Sequence, residues 1–269
     1  MNKFHLLPLL PALAALLICS CQSGSQPEIK NTDTTQTTVR VPVEIEFPSA
    51  DGLPVTAELY YRESNKDCFI VLCHMAEFNK SEYRKIAPEL YKIGYNCLAI
   101  DQRSGGSTSG YENETFNAAI QKDLPTGFLD AEQDIESAVA YVDKKYGLPV
   151  ILWGSSYSAS LALKTGKQKK EVFAIMAFSP GEYFRQDSMI LKNHIRDIGK
   201  PVFITSSRDE LNQELMGIID AIGPATVTHY RPTGKGEHGS MALWEDVPEN
   251  LEYWKAVKDF LKGLKIPAQ

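Results

Sequence analysis

The sequence predicts an α/β fold: a mostly parallel central sheet with helices on both faces, led by an antiparallel hairpin. Three observations carry this expectation. The short runs "CFIVLCH", "NCLAID" and "PVILWG" are apolar throughout, as strands covered on both faces must be. Amphipathic stretches of helical period separate such runs, and strand–helix alternation implies parallel pairing. Ahead of them, "VPVEIEF" and "LPVTAELYY" flank the turn "PSADG", which is a hairpin pattern.

The later elements follow in order. "SEYRKIAPELYKIGY" has helical spacing at Tyr83, Ile86, Leu90 and Ile93, with Gly94 as the stop. "FLDAEQDIESAVAYVDKKYG" reads as a long amphipathic helix closing at Gly147. "SYSASLALKTG" is a helix directly behind the strand "PVILWG". "VFAIMAFSP", "PVFITSS" and "ATVTHYRP" read as three further strands, separated by helices around Ile190–Ile198 and Leu211–Ile222. A final helical stretch, broken near Pro248, ends the chain. The stretch "QRSGGSTSGYENETFNAAIQKDLPTG" reads as one long loop, and a long loop in a compact domain is often functional.

The 269 residues are 43% hydrophobic and 23% charged, enough for one large domain over residues 41–269. The net charge of -6 and the lack of a basic stripe argue against nucleic acid as a partner. Before the domain, Lys3 precedes the apolar run "LLPLLPALAALLI", broken by Pro8 and Pro11, as in a secretory signal. It ends in Ile18-Cys19-Ser20-Cys21, which resembles a bacterial lipoprotein signal. That resemblance implies a signal over residues 1–21 and a lipid on Cys21. By resemblance to the sorting rule of enteric lipoproteins, the absence of Asp after Cys21 implies the periplasmic side of the outer membrane; the alternative is ordinary cleavage and a secreted protein. Residues 22–40 are polar and Thr-rich and read as a flexible tether. Cys68, Cys73 and Cys97 read as buried thiols, with a Cys68–Cys97 bridge as the alternative. No Cys/His spacing suggests a metal.

The chemistry centres on "WGSSYSA". Ser156 falls where a buried strand turns into a helix, with Gly154 allowing the tight approach and the helix aiming free N–H groups at the spot. The pattern is Gly-x-Ser-x-Gly with Ser158 in the last place. A serine hydroxyl needs a base. Of five histidines, His5 lies in the signal, His194 in a helix, and His229 in a strand, whereas His74 ends a strand and reads as structural. His238, in the loop "GKGEHGS" between the last strand and last helix, is the candidate base. Asp209 in "SSRDE" is the candidate orienting acid, with Glu210 the second choice.

These segments, together with "VLCHMAEFNKSEY" and "AIDQRSGGSTSG", resemble the α/β-hydrolase superfamily, and within it the small esterases and dienelactone-hydrolase-like members. The resemblance covers the chain from Val41 onward, and its Ser…Asp/Glu…His order matches Ser156, Asp209 and His238. It implies an oxyanion hole from the backbone amides of Tyr157 and Ala76, with Met75 the near alternative. Met75 replaces the family's usual Gly, which places the local backbone in question. Asp101 and Arg103 read as loop braces. The implied activity is hydrolysis of a small or polar ester without cofactor or metal. The segment between Pro180 and Lys200 is short, which leaves little or no lid, and Tyr183, Phe184 and Met189 read either as lining a modest pocket or as core. The alternatives are a peptidase or amidase on the same residues, or a non-catalytic binding protein.

Overall fold

β3 (Phe69–Cys73), β4 (Asn96–Ile100) and β5 (Val150–Ser155) are buried along their whole length. They form the centre of an eight-stranded sheet in this computed structural model, which describes residues 42–268 apart from 67 and 109. The expected lipoprotein signal with Cys21 and the expected tether, residues 1–40, lie outside the described residues. β1 (Val43–Pro48) and β2 (Pro54–Tyr60) pair antiparallel, with Val43 opposite Leu59 and Pro48 opposite Pro54. β2 is antiparallel to β4, and from β4 onward every pairing is parallel. With β6 (Val172–Phe178), β7 (Val202–Thr205) and β8 (Val227–His229), the spatial order is β1-β2-β4-β3-β5-β6-β7-β8.

Strand alternation divides the core between the two faces. Val71, Cys73, Leu98, Ile100 and Leu152 pack on one side, and Ile70, Leu72, Cys97, Ala99, Ile151 and Trp153 on the other. Helices α1 (Ala87–Lys92), α2 (Glu114–Gln121), α3 (Glu132–Tyr146), α4 (Tyr157–Gln168), α5 (Leu191–His194), α6 (Gln213–Ile222) and α7 (Asn250–Gly263) connect and cover the strands. α3, α4 and α6 supply apolar residues to the first face; α1 and α7 supply the second. Gly147 closes α3 in the left-handed conformation at φ 65°, as its position in the sequence predicts.

Three expectations need correction. The helix expected from Ser81 is split into a 3-10 turn, Lys80–Tyr83, and the short α1, because Pro88 lacks the N–H that would continue an α-helix upstream. The long loop contains α2, whose start is set by Asn113, its side chain accepting the Phe116 N–H at 2.8 Å. The helix expected around Ile190–Ile198 is the single turn α5. Cys68, Cys73 and Cys97 are all fully buried.

The parallel strands fix a polarity. The carboxyl ends of β3, β5, β6, β7 and β8 share one pole. The chain enters β1 beside the carboxyl end of β2 and runs towards that pole, so residue 42 lies on the opposite side. Pro267 and Ala268 line a recess there too, beside Pro149 and Glu171 at the amino ends of β5 and β6. Among the described residues no helix is long and apolar enough to cross a membrane.

Candidate active site

β5 ends in a sharp turn that places Ser156 at φ 59° and ψ −125°, a region a non-glycine residue occupies only under constraint. The constraint comes from both sides. The Ser156 N–H donates to the Phe178 carbonyl at 2.8 Å, and its own carbonyl accepts the Ala159 N–H at 2.9 Å. Gly154 is needed beneath it, since a Cβ there would sit 2.2 Å from the Ser158 carbonyl oxygen. Ser158 replaces the last glycine of the motif and is fully buried. Its hydroxyl accepts the Ser155 N–H at 2.9 Å and donates to the Cys73 carbonyl at 2.7 Å, so the departure adds a tie between the turn and β3.

The loop after β8 brings His238 to this turn. Gly239 N–H donates to Ser179 Oγ at 2.9 Å, and Ser240 N–H donates to Ser155 Oγ at 2.9 Å. Trp153 Nε1 donates to Ser240 Oγ at 2.8 Å. The two residues after His238 are thereby tied to Ser179 and to Ser155, the residue before Ser156.

His238 Nδ1 is hydrogen-bonded to Glu210 Oε1. Asp209, the expected acid, is exposed at the surface. This corrects the sequence expectation by one residue, and the cause is the 3-10 turn Arg208–Glu210 that follows β7. Ser207 precedes the turn, and Glu210, three residues on, reaches back so that Oε2 accepts the Ser207 N–H and hydroxyl, each at 2.9 Å. Asp209 lies on the outer side of the same turn. Ser179 Oγ donates to Glu210 Oε2 at 2.7 Å, completing the carboxylate's shell. Burial opposes the Glu210 charge, but the His238 bond and charge, Ser179 and Ser207 together hold it below the usual carboxylate range. The Glu210 hydrogen bond in turn raises His238 above the ordinary histidine value, against burial.

The Met75 N–H is already committed to Glu82 Oε2 at 2.8 Å. Of the expected oxyanion donors that leaves Ala76 of the β3 loop, partly buried, and Tyr157 at the first position of α4. The left-handed residue of the β3 loop is Glu77, at φ 62°, so Met75 meets no backbone conflict in place of a glycine. His74 is structural as expected. Nδ1 donates to Met75 O at 2.8 Å, Nε2 accepts Gln102 N–H at 2.9 Å, and burial pushes its pKa down to about 4. Asp101 accepts the Lys80 N–H and ammonium, while Arg103 pairs with Asp51 and Asp134.

The Tyr183 phenol interacts with the Ser156 side chain and donates to the Ser179 carbonyl at 2.9 Å. Phe184 and Met189 belong instead to the core. His194 is exposed on α5, and His229 is half-buried on β8. Two recesses of about 700 and 630 Å³ lie elsewhere, between β8 and α7 with His229 in its lining, and beside α1; neither is lined by Ser156, Glu210 or His238. Among the described residues no group of three or more His, Cys, Asp or Glu could hold a metal ion. Sequence reasoning missed Ser179 and Glu82. The Ser207-x-x-Glu210 spacing of a capping box was the available signal for the acid.

No family model matches the chain. A thiohydrolase, aneE, of Aspergillus aculeatus is 24% identical over 234 residues, covering 82% of this chain and 69% of that protein. The Pyrococcus furiosus esterase Pf2001 has a similar structure, with a TM-score of 0.61 at 20% identity, covering 82% of this chain and 91% of that one. The α/β hydrolase GrgF from a Penicillium species gives a TM-score of 0.62 at 14% identity, covering 82% and 97%. The sheet order, the strained serine turn at the carboxyl end of β5 and these likenesses agree: the chain has the α/β-hydrolase fold.

Proposed function

We propose that the protein is a serine hydrolase acting on a small or polar carboxylic ester. The observation that carries this is the Glu210–His238 pair, held by Ser179, Ser207 and Ser240 against the strained turn of Ser156. In the proposed reaction Ser156 Oγ bonds to the ester carbonyl carbon while His238 Nε2 takes its proton. The Ala76 and Tyr157 amides hold the oxyanion. The C–O bond to the alcohol then breaks, and the leaving oxygen takes the proton from His238. Water, deprotonated by His238 in turn, attacks the acyl-enzyme and frees Ser156. Glu210 fixes the imidazole with its proton on Nδ1 and balances the imidazolium that forms.

The thiohydrolase likeness makes thioesters the first alternative acyl donors to assay. The same residues could also serve an amide, so aminoacyl anilides belong beside p-nitrophenyl acetate and butyrate. We further propose that Cys21 carries a lipid and that residues 22–40 tether the domain at the bacterial cell envelope. A fluorophosphonate probe tests the central reading: it should label Ser156, and Ser156→Ala should lose both label and ester turnover while remaining folded. Label on Ser155 instead, or turnover surviving Ser156→Ala, would refute it.

A further inference from the structure

Glu82 is a fully buried carboxylate that the proposed reaction does not use. It lies in the 3-10 turn after the β3 loop and reaches under the serine turn. Oε2 accepts the Met75 N–H at 2.8 Å, one residue before Ala76. Oε1 accepts the Ser155 hydroxyl at 2.7 Å, one residue before Ser156. The same Ser155 oxygen accepts the Ser240 N–H at 2.9 Å, two residues after His238. The Glu82 backbone is itself fixed, its carbonyl accepting Trp244 Nε1 at 3.1 Å. One side chain therefore touches, directly or through one hydroxyl, the three segments that carry the oxyanion donor, the nucleophile and the base.

We propose that Glu82 is a positioning residue, which locks the β3 loop, the serine turn and the histidine loop into one register. The inference rests on the serine-hydrolase reading above.

A simple packing role would not call for a carboxylate here. Burying one is costly unless hydrogen bonds and a cation compensate. Among the described residues no Lys or Arg pairs with Glu82. The titratable groups facing it are Cys73 from β3, Tyr83 from its own turn, and His238 from the loop after β8. Burial drives the Cys73 thiol and the Tyr83 phenol far up, so both stay neutral. His238 is the one group of the three that becomes positive, and it does so when it takes the serine proton. Burial pushes the Glu82 carboxyl up to about 7, and its contacts with Ser155, Met75 and His238 pull against that rise. In return its charge raises His238.

The experiment begins with the wild-type protein, whose fluorophosphonate labelling and ester turnover establish the underlying reading separately. Absence of both sinks that reading and the inference with it. Given an active wild type, Glu82→Gln keeps the side-chain shape and removes the charge. We expect a folded variant, by circular dichroism, that still takes the probe at Ser156. Its kcat should fall by about tenfold to a hundredfold, the scale of a small misplacement of reacting groups, with KM within about twofold. kcat and KM thus separate, which a loss of packing alone would not do. A folded Glu82→Gln with wild-type kcat overturns the proposal. Should Glu82→Gln not fold, Ser155→Ala decides. It cuts the bridge to Ser240, so kcat should fall with KM held within about twofold, and a wild-type kcat would overturn the proposal.

Discussion

At the scale of single residues, the candidate site turns on which of two adjacent carboxylates faces His238. Both were visible in "SSRDE", and only the local turn decides between them. The 3-10 geometry after Ser207 sends Glu210 back towards β6 and β7 and leaves Asp209 in solvent. Glu210→Gln should therefore lower kcat/KM on the order of ten-thousand-fold, as the equivalent amide change does in a serine protease, whereas Asp209→Asn should change it little. Steady-state ester kinetics on both variants check this, and the reverse ranking would refute the pairing. The pH profile belongs with it. His238 must be neutral to accept the serine proton, and Glu210 raises its pKa, so activity should rise with pH through an ionisation above the ordinary histidine value of about 6.5. In Glu210→Gln the residual activity should show that limb at lower pH. Ser156 and His238 were legible because a strand-to-helix turn and a glycine-rich loop mark the carboxyl ends of strands. Ser179 and Glu82 were not, since nothing in their local sequence tells which distant loop will fold over them.

At the scale of elements, strands were easier to read than helices. β3, β4 and β5 are continuous apolar runs because both faces are covered, and no other element competes for that pattern. α2 was hidden because its amphipathic stretch lies between a glycine- and serine-rich segment and the turn-like stretch ending in Pro125 and Gly127, and its cap, Asn113, is also committed to the Gln102 carbonyl at 3.0 Å. The ties between elements are polar and buried. Arg103, after β4, reaches Asp134 on α3 and Asp51 in the β1–β2 turn, and Ser49 donates to Asp134 at 2.8 Å. Arg103→Met would leave Asp134 buried without its cation, a loss of about 3–5 kcal/mol. The folded Asp134 pKa would then lie further above its unfolded value, so the penalty should grow as pH rises from the acid range towards neutrality. Urea unfolding of the variant at pH 5 and pH 8 measures both effects, and an equal or smaller loss at pH 8 would contradict the account.

At the scale of the whole molecule, the eight-stranded order follows from one antiparallel leader and a parallel remainder, as the alternation in the sequence anticipated. The envelope anchor is a separate proposal with its own test. The protein should fractionate with membranes and enter the detergent phase on extraction, and a Cys21→Ser form should not. A soluble wild type with a mature N-terminus elsewhere would exclude the anchor. The polarity of the sheet has a practical consequence that holds whether or not the anchor exists. Residue 42 and residues 267–268 both sit at the amino-end pole, while Ser156, Glu210 and His238 occupy the other. Cargo fused at either end, or a solid support coupled there, is thus kept clear of the candidate site. Kinetics should survive fusion to a bulky globular partner ahead of residue 42 or after residue 269, with kcat/KM for a small ester unchanged within about twofold. A link joining the two ends would have to span about four strand spacings, roughly 20 Å, across the pole opposite the candidate site.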